Sequence, residues 1–185
     1  MTAKTAPPFR PPPAKVLPTT SPENVIHNLR VSWIRKDIDE YSSLLRHDFI
    51  FRFQERDAQT IGEDRWDRSQ DSTAVHRLFT AHDIGDIRIM LYHSGAKDPT
   101  EPGFPEGTRH IRVSPTDLEV ELDPDITLVV KGDIQDFFFL QGDPTHGESP
   151  DAWYILEWRD MGDLSGVGKP AVETTSMGSI KARFE

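Results

Sequence analysis

The strongest constraint on this chain is a change of period near residue 86. Before it, apolar residues recur every three or four positions, as on helices that lie on a surface. They form three groups: Val25, Ile26, Leu29 and Trp33; Ile38, Tyr41, Leu44 and Leu45; Ala74, Val75, Leu78 and Phe79. One strand interrupts them, "DFIFRF", in which Phe49, Phe51 and Phe53 alternate with Asp48, Ile50 and Arg52. After residue 86 come short runs divided by proline, aspartate or glycine: "DIRIMLYH", "RHIRV", "LEVEL", "ITLVVKG", "DFFFLQ" and "WYILEWRD". These read as strands, with "MGSIKARF" as the last. Helix, helix, strand, helix, then strands is an α+β order, with helices on one face of a largely antiparallel sheet. The regular alternation of a doubly wound fold is missing.

The punctuation agrees with this order. Ser21 caps the first helix and Pro22 takes its first position; Asp37 or Asp39 caps the second, and Asp67 or Ser69 the third. "QERDAQTIGEDRWDR", "KDPTEPGFPEGT", "GDPTHGESPD" and "MGDLSGVGKPAVETTS" read as loops. Residues 1–20, with "APPFRPPPAKVLP", read as a disordered proline-rich arm ahead of one domain over 21–185. The P-x-x-P spacing in the arm is common in any proline-rich tail.

Composition removes several function classes. A net charge of -10 lacks the basic face that nucleic-acid binding or docking on anionic lipid requires. With no cysteine, thiolate catalysis, disulfides and cysteine zinc sites are excluded. No apolar run suits membrane insertion, and the start lacks the apolar segment of a signal peptide, so a cytoplasmic location is the default expectation and export stays open. "GDLSGVGKP" fails as a phosphate loop: five residues separate Gly162 from Gly168, and Pro170 stands where a hydroxyl is needed. No G-x-S-x-G elbow occurs. His27, His47, His76, His82, His93, His110 and His146 are scattered without an H-x-x-x-H or H-x-H pair, so neither a metal nor a cofactor is expected.

Two stretches carry a resemblance. "NVIHNLRVSWIRKDIDEYSSLLRHDFIFRF" looks like the opening of the nuclear transport factor 2-like superfamily, particularly its SnoaL-like branch, and "DAWYILEWRD" is similar to its penultimate strand. The resemblance covers roughly residues 21–184. It implies a cystatin-like, curved sheet forming a cone, with the three N-terminal helices packed on its concave side. It is nearly silent on function, because such folds host isomerases, cyclases, dehydratases and transport factors. No local motif matches a catalytic residue of those enzymes. The resemblance implies a cone lined by Trp33, Tyr41, Phe51, Trp66, Phe79, Tyr154, Trp158 and Asp160. Strict alternation along residues 153–160 would turn Tyr154, Leu156, Trp158 and Asp160 inward and Trp153 and Ile155 outward.

Three readings of function follow. The first is a domain that binds a small apolar ligand or a protein partner without catalysis, paired as a homodimer through the convex sheet face. The second is an isomerase, cyclase or dehydratase that uses a carboxylate or tyrosine in the cone. The third is a tethered interaction module whose cone is filled.

Overall fold

The computed structural model describes residues 14–122, 126–162 and 175–185. Its first two helices start where capping side chains can accept backbone hydrogen bonds. Ser21 accepts from the Asn24 amide at the head of α1 (Pro22–Arg35), and Asp37 accepts from Glu40 N at α2 (Ile38–Ser43). The first strand, β1 (Leu45–Arg52), buries Phe49 and Phe51. The polar stretch expected as a loop instead forms α3 (Glu55–Ile61), which stops at Gly62, whose φ of 87° suits glycine. It lacks an apolar stripe, so its period is invisible in the sequence; only Ala58 and Ile61 lean on the core. After β2 (Arg65–Asp67), a capping box between Asp67 and Gln70 opens α4 (Arg68–Thr80).

The sheet continues with β3 (Ile84–His93), β4 (Arg109–Leu122), β5 (Ile126–Gln141) and β6 (Trp153–Gly162). Its strand order is β2-β1-β6-β5-β4-β3, antiparallel throughout except where β1 runs parallel to β6. Two pairs of expected short strands are each one long strand. "RHIRV" and "LEVEL" join in β4, whose register with β5 shifts between Val113 and Thr116. "ITLVVKG" and "DFFFLQ" join through Gly132, at φ 75°. Such irregularities bend a strand without ending it, which suits a curved, unclosed sheet. α1, α2 and α4 pack on its concave side, where Leu29, Trp33, Tyr41, Val75 and Leu78 meet Ile111, Val113, Phe137, Phe139 and Trp158.

Three expectations need correction. "MGSIKARF" is not a strand but a helix, α5 (Met177–Ala182), capped by Ser176. Met177, Ile180 and Lys181 recur at helical spacing and are all buried. Second, strict alternation fails in β6. Ile155 pairs with Phe139 and Glu157 with Phe138, so Leu156 is an inserted residue. The bulge puts Ile155 in the core beside Trp158, with Trp153 packed against it, while Tyr154 and Leu156 lie outside the core cluster. Third, order begins before Ser21. Leu17 N donates to Asn28 Oδ1 (2.8 Å) and Asn28 Nδ2 to Leu17 O (2.7 Å), while Trp153 N donates to Thr19 O (2.8 Å). The rest of the proline-rich arm, with its P-x-x-P spacing, and residues 163–174, expected as part of a loop, lie outside the described residues. No helix among the described residues is long and apolar enough to cross a membrane.

Candidate functional site

A cone of this kind offers chemistry only where its interior is open. Here α5 reaches into the interior and places Lys181 at the centre. Lys181 Nζ donates to Asp71 Oδ1 of α4 at 2.5 Å and to the Tyr41 hydroxyl of α2 at 3.2 Å. Tyr41 in turn donates to Asp71 Oδ2 at 2.5 Å. The ammonium also lies over the rings of Phe51 and Trp158, at 3.9 and 3.8 Å. All three polar residues are 0% exposed, so no water-sized sphere touches them. Burial pulls the lysine below its ordinary range, against the attraction of Asp71. Burial, and then the charge of Asp71, push the Tyr41 phenol well up, which keeps it a donor.

A second buried polar group lies beside the first. Asp160 accepts from Gly178 N (2.7 Å), Gln135 Nε2 (3.0 Å) and Gly162 N (3.2 Å). Gln135 Oε1 accepts from Trp158 Nε1 at 2.6 Å. Asp57 of α3 accepts from the Ser176 hydroxyl and from Gln54. Burial raises the Asp160 carboxyl against these donors. Two of its three donors are backbone amides, Gly162 at the end of β6 and Gly178 in the first turn of α5. Its geometry is therefore that of a clasp, with its lone pairs aimed at fixed amides.

Of the expected lining residues, Trp33, Tyr41, Phe51, Trp66 and Trp158 are fully buried, Phe79 is 6% and Asp160 2% exposed. They touch one another. Trp33, Tyr41 and Phe79 meet edge to face at 5.4 to 6.4 Å between centroids, Phe51 meets Trp158 at 5.3 Å, and Trp66 meets Phe53 at 4.8 Å. Tyr154 is the exception: it lies outside this cluster, and its hydroxyl accepts from Ser149 N. Sequence reasoning missed Asp71, Gln135 and Lys181. Asp71 was legible in principle, because it falls on the stripe of Ala74, Val75 and Leu78. Lys181 was hidden by the strand reading of its segment.

The convex face carries its own network. Phe104 stacks on Phe138 at 4.1 Å, His110 stacks on the same ring at 4.7 Å, and the Arg159 guanidinium lies 4.6 Å from it. Glu101 and Glu157 hold Arg159, Glu157 also takes Arg52, and Asp136 takes Arg112 and His110. Residues 101–104 of this chain thus cover part of that face. Elsewhere the fold brings together two histidines that are far apart in sequence: His47 and His146 stack at 3.7 Å, with Asp143 alongside.

No protein-family model matches the sequence, and no curated protein does. Solved structures do match. A conserved protein from Planctomyces limnophilus DSM 3776 is 12% identical, with 75% of this chain and 90% of that one covered and a TM-score of 0.55. ActVI-ORFA from Streptomyces coelicolor is 10% identical over 76% and 93%, also at 0.55. An NTF2-like protein of unknown function in nutrient uptake from Rhodospirillum rubrum ATCC 11170 is 13% identical over 76% and 96%, at 0.50. The chain has the nuclear transport factor 2-like, cystatin-like fold.

Proposed function

We propose that this is a non-catalytic binding domain with a filled cone, working through its surface and pairing with a second copy through the convex sheet face. The observation that carries the first part is the Lys181–Asp71–Tyr41 cluster. The donors and acceptor that could perform acid–base work satisfy one another at the centre of the cone, where no substrate atom reaches them. A small apolar ligand in the same space would have to displace α5 and leave the Asp71 carboxylate unpaired, a cost of several kcal/mol, about 3–5. The pairing is supported by the make-up of the convex face. Phe104, half-buried where it covers the ring of Phe138, is the aromatic residue this face still presents, and Arg52, Arg112, Arg159, Glu101 and Glu157 surround it with charge, as at the rim of an interface.

Two measurements test the proposal. Titration of the folded protein with an apolar fluorophore such as anilinonaphthalene sulfonate is expected to give no enhancement; a saturable signal at one equivalent would return the cone to ligand binding. Light scattering at micromolar concentration is expected to give twice the chain mass, and a monomer mass would refute the pairing.

A further inference from the structure

We infer that His47, Asp143 and His146 form a binding site for a divalent transition cation of the zinc class. One nitrogen of each imidazole and one oxygen of the carboxylate lie within 4.8 Å of one another. The residues come from two places. His47 sits on β1, while Asp143 and His146 belong to the single 3-10 turn between β5 and β6, Pro144–His146. This grouping is independent of the cone and of the function proposed above.

The surroundings are arranged as a metal site requires. His146 Nδ1 and Asp143 Oδ2 are 3.1 Å apart. Two donors bound at about 2.0–2.1 Å to one tetrahedral ion lie about 3.3 Å apart. The other Asp143 oxygen accepts from the amide and hydroxyl of Thr145, while Oδ2 pairs with His146 Nδ1, the contact that an ion between the two would replace. Glu148 holds the pieces together: its two oxygens accept from His47 N (2.6 Å) and Asp143 N (2.9 Å). Glu148 Oε2 is also 3.3 Å from His47 Nδ1, off the line of a hydrogen bond, and that buried ring nitrogen has no hydrogen-bond partner. A carboxylate beside one imidazole nitrogen stands where the outer support of a ligating histidine does, and the other nitrogen, Nε2, has Asp48 Oδ2 4.0 Å away. The local charge also invites a cation: Asp48 and Glu148 share one guanidinium, Arg46, and Asp143 adds a third carboxylate beside His47 and His146.

The bland alternative is that Asp143 only caps its turn and the rings only stack. Capping uses one Asp143 oxygen and the contact with His146 Nδ1 the other, so the turn accounts for those two residues but not for the approach of His47 from β1. The rings are nearly parallel, 6° apart, so their in-plane lone pairs do not yet converge on one point. His146 is the ring that can move, since its side chain is 52% exposed and His47 only 24%. Splaying His146 completes a site with three protein donors and a position open to water. Two imidazoles and one carboxylate favour zinc, nickel, cobalt or copper over magnesium and calcium, which prefer oxygen donors.

The test is calorimetric titration of zinc chloride into the tag-free full chain at neutral pH, with magnesium chloride as a control. One equivalent of zinc is expected to bind, magnesium is not, and His146→Ala and His47→Gln each weaken zinc at least tenfold. The exposed His82→Ala, just past the end of α4, is expected to leave it unchanged. His146→Ala replaces a half-exposed side chain, so the fold survives it, which circular dichroism confirms. Failure of the wild type to take up one equivalent overturns the inference. So does a His146→Ala variant that binds within tenfold of the wild type, because the zinc would then be held elsewhere.

Discussion

Replacing Lys181 by methionine removes the ammonium while keeping a side chain of similar length over Phe51 and Trp158. The change leaves Asp71 fully buried, with the Tyr41 hydroxyl as its remaining donor from the cluster. Breaking one side of a buried pair costs about 3–5 kcal/mol, since the surviving charge keeps its desolvation penalty. In a domain of this size each kcal/mol moves Tm by roughly 2–4 °C, so the expected fall is about 6–20 °C. Urea denaturation is the assay, because an unchanged slope shows that only stability has moved. The double variant Lys181→Met with Asp71→Asn removes both charges, and the carboxamide oxygen that replaces the carboxylate would still accept from Tyr41. It is therefore expected to be at least ~2 kcal/mol more stable than the two single losses added together. A Lys181→Met protein within about 1 kcal/mol of the wild type would refute the reasoning, since it would mean that the pair is solvated and α5 is not docked.

Gly178→Ala is expected to destabilise by about 1 kcal/mol or more, although alanine normally favours a helix. A Cβ there would lie 2.7 Å from Phe53 Cδ1 and 3.2 Å from Asp160 Oδ2; a neutral or stabilised variant in the same denaturation assay would show that α5 sits elsewhere. Asp160→Asn places an amide group among three donors, so a loss of about 1–3 kcal/mol is expected, read as a fall in Tm; no change would deny the clasp. On the convex face, burial would raise the Asp136 carboxyl, but hydrogen bonds from His110 and Arg112 more than offset it and hold it at about 2. A carboxyl held below its unfolded value contributes stability above about pH 4, and that contribution is lost as pH falls toward 2. It is worth about 2 kcal/mol, and Asp136→Asn is expected to flatten that limb of the stability–pH curve; an identical acid limb would contradict it.

The architecture was legible because periods and caps are local signals. Ser21, Asp37 and Asp67 are the caps seen in the structure, and Phe49, Phe51 and Phe53 face the core as their alternation requires. What escaped the sequence depends on contacts remote along the chain. The Leu156 bulge is a matter of register with β5, which no pattern within residues 153–160 contains. α3 is a helix without an apolar stripe. A strand reading of "MGSIKARF" groups Ile180, Ala182 and Phe184 on one face, whereas the helix groups Met177, Ile180 and Lys181, and a lysine is rarely buried without a partner such as Asp71, 110 residues away. Of the aromatic residues expected to line a cavity, all but Tyr154 belong to the buried core cluster. Whether they enclose space or fill it depends on α5.

The docking of α5 is therefore the point on which the account stands. Native-state hydrogen exchange of the Gly178 and Ile180 amides tests it most directly. Gly178 N donates to Asp160 Oδ2 and Ile180 N to Ser176 O, and Asp160, Ser176 and Ile180 are all buried. With the cone filled, both amides exchange only through openings as costly as those of Phe137 and Trp158 in the central strands. Exchange at the rate of an unstructured peptide, with the sheet still protected, would show α5 detached and the cone open.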